Sequence, residues 1–204
     1  YNQYKAITLE AYSHNAIIRN CLIDKAGEGI YTIASNGISN NLLVENCTIK
    51  NIRNVDVGVG APDCHAIAMQ GGTGHIIRNN YINTASTAVT LYSGYAADCG
   101  AEIYNNFATN MWRWYSSNNP FSGHGAAYDF HSSSNFTGKL TFKLYNNIAC
   151  NAENSGIRCA WQNNSNTHDI TIYNNVVYRS AVGIAFGGAN ISTRSYKIKN
   201  NIIY

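Results

Sequence analysis

"IIRNNYI", residues 76–82, sets two amides, Asn79 and Asn80, inside an apolar run. The phrase recurs in looser spelling as IIRNCLI (17–23), LVENCTI (43–49), EIYNNFA (102–108), KLYNNIA (143–149), TIYNNVV (171–177) and KIKNNII (197–203). Its first asparagine is present in all seven copies, at Asn20, Asn46, Asn79, Asn105, Asn146, Asn174 and Asn200, with spacings of 26, 33, 26, 41, 28 and 26 residues. A short unit of fixed length, extended by insertions where the spacing grows, is the mark of a repeat architecture.

A second element recurs between the copies, a small residue followed by apolar-x-apolar: GIYT (29–32), AIAM (66–69), AVTL (88–91), AYDF (127–130), GIRC (156–159) and GIAF (183–186). These segments alternate at period two, as half-buried strands do, and lack the i, i+3, i+4 recurrence of a helix. A unit of two or three short strands cannot bury its apolar face alone. Stacked units can, with each strand pairing to its equivalent about 4.8 Å away. The stacking also accounts for the amides, because an asparagine placed over its counterpart can bond the next amide or the turn backbone. Asparagine further tolerates the left-handed conformation that a sharp bend between strands requires. On this reading Asn79 is the stacked rung and Asn80 its looser neighbour, since the second position is Cys21 and Cys47 in the first two copies.

The composition agrees with a folded, weakly charged chain. Of 204 residues 45% are hydrophobic and only 12% charged, while asparagine occurs 30 times, so amides and hydroxyls carry the polarity. The net charge of +3 comes from scattered residues without a basic stripe, which argues against a nucleic-acid partner. No apolar stretch approaches the roughly 18 residues of a membrane span. Six cysteines without a C-x-x-C pair disfavour a zinc ribbon or a thioredoxin-type site. Cys21 and Cys47 fit a stacked disulfide or two buried thiols equally. Cys64 and Cys99, on loops of neighbouring units, are the expected staple if any disulfide forms.

The stretch SGIRCAWQNNSNTHDITIYNNVVYRSAVGIAFGG (155–188) resembles the repeats of right-handed parallel β-helix proteins of the pectin-lyase-like superfamily, and the resemblance extends over residues 15–204. It implies an all-β fold, a right-handed parallel β-helix solenoid of about seven coils with an internal asparagine ladder. The chain would form one domain, 1–204, with insertions at 51–66 and 108–126. Polysaccharide lyases, glycoside hydrolases, epimerases, phage tailspikes and adhesins share that fold, so it does not by itself choose an activity. The last residues, KIKNNIIY, stop inside a repeat and neither end carries a legible capping helix. The expectation is a segment of a longer chain with flanking domains, or an open end that stacks on a partner.

Alternation along the second element assigns Tyr31, Ala68, Gln70, Thr90, Tyr92, Asp129, His131 and Arg158 to the outward side of the sheet, with Ile30, Ile67, Val89, Tyr128, Ile157, Ile184 and Phe186 inside. Asp129, His131 and Arg158 then lie on consecutive units, and His65 flanks the same surface. Glycoside hydrolysis needs two carboxylates about 5–9.5 Å apart, and Asp129 has no acidic neighbour in these columns. β-Elimination from a uronate needs a cation on the carboxylate, a base and an acid. Arg158 suits the carboxylate clamp, with His131 or Tyr92 in the proton-transfer roles and Asp129 orienting His131. Two alternatives stand beside this: Asp129 holding Ca²⁺ with loop carbonyls, and a plain Asp129–Arg158 ion pair with His131 capping the turn HSSSN. Trp112, Trp114, Tyr115 and Phe121 in the second insertion, with Trp161, suit stacking on sugar rings or a lid over an apolar patch. The expected function is a secreted or cell-surface β-helix that binds a polysaccharide through Gln70, His65 and these tryptophans and cleaves uronic-acid polymers. The alternative is a stalk, adhesin or tailspike-type spacer without catalysis.

Overall fold

The computed structural model describes residues 5–34, 37–53, 64–93, 98–113, 124–132, 138–161, 167–188 and 194–204. Among them there is no helix, and every strand pairing is parallel. The strands belong to one sheet of 12 and one of seven. β1 (Lys5–Leu9), β4 (Glu28–Thr32), β7 (His65–Gln70), β10 (Thr87–Ser93) and β13 (Ala126–Ser132) lie side by side in that order in the larger sheet. The smaller sheet contains β2 (Ile17–Arg19), β5 (Leu43–Glu45), β8 (Gly72–Arg78), β11 (Cys99–Tyr104), β14 (Leu140–Tyr145), β16 (His168–Tyr173) and β18 (Arg194–Lys199). A third row, β3 (Leu22–Asp24), β6 (Thr48–Lys50), β9 (Tyr81–Ala85) and β12 (Phe107–Met111), joins the larger sheet through the long strands β15 (Ile148–Trp161) and β17 (Val176–Gly188), and β19 (Ile202–Ile203) pairs with β17. From β1 to β12 each strand pairs with the strand three places later in sequence; β13 then joins the double-length β15, and β14 joins β16. This periodic parallel pairing is consistent with a β-helix or solenoid. No helix among the described residues is long and apolar enough to cross a membrane.

The "IIRNNYI" phrase is strand, corner, strand. Its first asparagine sits at the corner with φ between 53° and 56° in all seven copies, and each of these residues is exposed. The buried ladder belongs instead to the second position, which corrects the sequence expectation. Asn80, Asn106, Asn147, Asn175 and Asn201 stack, each Nδ2 donating to the next Oδ1 at 2.9–3.0 Å. The same Oδ1 atoms accept a backbone N–H from the preceding rung, as in Asn80 N to Asn106 Oδ1 at 3.0 Å. The Nδ2 atoms also donate to the carbonyls of Val44, Ile77, Ile103, Leu144 and Ile172. Where the second position is Cys47, its thiol donates to the Glu45 carbonyl at 3.3 Å, so a small buried donor still serves the corner. The physical division is clear: the corner needs a side chain that accepts left-handed φ, and the interior needs one that both donates and accepts.

The core lies between the rows. Ile30, Ile67, Val89 and Ile157 meet Val44, Ile77, Ile103, Leu144 and Ile172 with no solvent exposure. Phe130 stacks on Phe142 with ring centroids 3.8 Å apart. The recurring small residue is explained by close approach, since a Cβ on Gly156 would lie 2.2 Å from Val177 Cγ1. Phe186 departs from its expected interior place and is 39% exposed, with Tyr196 beside it. All six cysteines are free thiols, so the Cys64–Cys99 and Cys21–Cys47 pairings are not made. Burial pushes the Cys99 thiol up to about 12, which leaves it an inert core residue.

Candidate functional site

Strand register brings the outward residues into rows. Thr90 pairs with Asp129 and Asp129 with Arg158, while Tyr92 pairs with His131 and Gln70 with Tyr92. Asp129 and His131, two residues apart on β13, share one face, as a strand dictates. The face is covered rather than open: Ala68 and Thr90 are buried and Asp129 has no exposure at all.

A residue absent from the sequence reading supplies part of the cover. His124, at the end of the 108–126 insertion, contacts Asp129 Oδ2 through Nδ1. Its placement is built locally. The His124 N–H donates to Ser86 Oγ at 3.0 Å, and its carbonyl accepts from Asn154 Nδ2 at 3.0 Å. Gly125 follows with φ +59°, and a Cβ there would lie 2.9 Å from Arg113 Cγ, so glycine lets the chain leave the loop directly beneath Arg113. The signal in the sequence was the spacing of two histidines around one aspartate, H-x4-D-x-H over 124–131.

Asp129 is therefore a hub. His131 Nδ1 stands 3.5 Å and Arg158 Nη1 3.6 Å from the same Oδ2 that His124 contacts. The two imidazoles meet edge to face, with centroids 5.1 Å apart and planes at 82°. Among the described residues, neither carboxylate oxygen of Asp129 has a hydrogen bond of proper direction. Burial would push the Asp129 carboxyl up, but its contacts with His124 and His131 outweigh that and hold it well below the usual carboxylate range, so it is charged. Arg158 and His131 are partly exposed, at 28% and 14% of their side chains, and so face whatever enters from outside.

The other expected site residues are distributed around this hub. The Tyr92 ring lies 4.6 Å from that of His131. His65 opens β7, is buried, and reaches the hub through His124, whose ring is edge-on at 6.4 Å; on its other side Glu28 Oε1 is 3.9 Å from Nδ1. Gln70 donates to the Tyr31 hydroxyl. Trp112, just beyond β12, is 43% exposed on the neighbouring row. Trp114, Tyr115, Phe121, residues 133–135 of the HSSSN turn and most of the 51–66 insertion lie outside the described residues, as does the side chain of Trp161.

The donor set around Asp129 is nitrogen-rich. One donor atom each from His124, Asp129 and His131 lies within 4.8 Å of the others. Ca²⁺ takes six to eight oxygen ligands, and two imidazoles do not provide them. No protein-family model, curated protein or solved structure matches the chain.

Proposed function

We propose that the chain is a right-handed parallel β-helix of about seven coils, of the pectin-lyase-like kind, and that it acts outside the cell or at its surface on an acidic polysaccharide. The fold reading is supported by the three-strand period of the parallel pairing and by one asparagine corner per repeat. The functional reading rests on one observation: Arg158 and His131, both partly exposed, converge on a buried, charged Asp129.

The chemistry follows from the roles of the atoms. Arg158 pairs with a uronate carboxylate and thereby acidifies the α-proton. Asp129 beside Nδ1 favours the His131 tautomer protonated there, which leaves Nε2 to accept that proton. The electron pair of the broken C–H bond forms the new double bond, and the β C–O bond breaks. The departing oxygen takes a proton from Tyr92, which lies against His131. Trp112, exposed on the neighbouring row, extends the contact along the chain of sugars.

The test is incubation with polygalacturonate, alginate and glycosaminoglycans, following the absorbance of the unsaturated product. The expectation is product from at least one polymer, with loss of at least about 100-fold for His131→Ala and weakened binding for Arg158→Ala. Binding without product removes the elimination step. Neither binding nor product removes the carbohydrate reading and leaves the repeats as a rigid spacer.

A further inference from the structure

We propose that His124, Asp129 and His131 form a binding site for a divalent transition-metal ion of the zinc class. The site does not depend on the carbohydrate reading.

The three side chains come from two structural sources. Asp129 and His131 project from the same face of β13, while His124 is carried over them by Ser86, Asn154 and Gly125. Their donor atoms lie within 4.8 Å of one another, with the rings at 82°, so the imidazoles approach from different directions instead of stacking. In a tetrahedral zinc site, with ligands at 2.0–2.2 Å, neighbouring donors sit roughly 3.4 Å apart. The pair His131 Nδ1 and Asp129 Oδ2, at 3.5 Å, already has that separation.

A second observation points the same way. Asp129 is fully buried, yet among the described residues neither of its oxygens meets full hydrogen-bond geometry. A buried carboxylate with a purely structural role is ordinarily bonded to N–H or O–H groups. Here the imidazoles of His124 and His131 and the Arg158 guanidinium stand at short range around one oxygen instead. Two imidazoles and one carboxylate favour zinc, cobalt or nickel over calcium or magnesium. Three protein ligands leave one coordination position for water or a ligand.

Arg158 acts against the ion. Its guanidinium, 3.6 Å from Oδ2, repels a second cation at the same carboxylate. The two uses of the cluster therefore respond oppositely to one substitution: Arg158→Gln weakens capture of an acidic polymer and tightens metal binding. They also exclude one another at His131, because a metal on Nδ1 leaves the proton on Nε2 and removes the base. The ion would inhibit elimination.

The experiment titrates the full chain with Zn²⁺ by calorimetry and with Co²⁺ by visible absorption, with melting curves for each variant. One site is expected, insensitive to excess Ca²⁺. Affinity should fall on the order of 100-fold in His124→Gln and His131→Gln and rise about tenfold in Arg158→Gln. His124 lies outside the sheet, so its variant retains the fold. Absence of a Zn²⁺ site, binding unchanged in both histidine variants, or displacement by Ca²⁺ overturns the assignment. Failure of every polymer to react leaves these outcomes unaffected and bears on the elimination reading alone.

Discussion

Two rows of buried polar groups cross the parallel strands, and they are built on opposite principles. From Asn80 to Asn201 the row repeats one residue type, and each amide donates to and accepts from the next. At Asp129 the row changes residue at each step, from Thr90 to Asp129 to Arg158, and the carboxylate gathers charged groups without directed hydrogen bonds. The ladder converts buried polarity into stability because each donor added brings its own acceptor. The hub retains charge and approachable nitrogen atoms at some cost in stability, which is the usual signature of a site and not of a scaffold.

The largest expected effect breaks the ladder. Asn106→Ala leaves the backbone N–H and Nδ2 of Asn80 without their acceptor and should lower the unfolding free energy by about 3 kcal/mol in urea titration. Asn105→Ala, one residue away, removes only a residue suited to φ 56° and should cost about 1 kcal/mol. Equal losses for the two variants would remove the division of labour between adjacent asparagines.

The hub should respond less. Asp129→Asn deletes a buried charge together with its attractions, and the partly exposed His124, His131 and Arg158 can be solvated in its absence. The change in stability by the same titration should stay below about 1 kcal/mol. A loss as large as that of Asn106→Ala would make Asp129 part of the scaffold and dissolve the contrast.

The last effect is confined to acid pH and concerns an ordinary buried histidine. His75 accepts the Leu42 N–H at Nδ1 and donates from Nε2 to the Gly71 carbonyl, and burial pushes its pKa down from 6.5. The unfolded chain therefore binds the proton more readily than the folded one. The contribution of neutral His75 is complete above pH 6.5 and is lost as pH falls from there through the depressed folded value. His75→Gln should flatten the stability profile below pH 6.5 by at most about 1.4 kcal/mol per pH unit. An unchanged slope would show that His75 takes no part in the acid response.

Much of the fold was legible because repetition amplifies weak signals. One "GIYT" is ambiguous, but six segments alternating in phase predict two columns, and the register aligns Tyr128 with Val89 and Ile157, and Asp129 with Thr90 and Arg158. The choice between Asn79 and Asn80 was misread for a specific reason. Recurrence ranked the first asparagine higher, yet the requirement for left-handed φ recurs as strictly as a requirement for burial. Of the hub, Asp129, His131 and Arg158 were reachable by strand alternation. His124 was not, because it sits at the end of an insertion that has no period and its position depends on Ser86 and Asn154 from other rows.

The sequence by itself determined the repeat, the alternation and the outward columns, because these are local periodicities that each unit states again. Only the tertiary structure decided which asparagine is buried, that the cysteines remain free, and that His124 closes over Asp129. Those outcomes depend on distances between residues far apart in the chain, which local pattern does not encode.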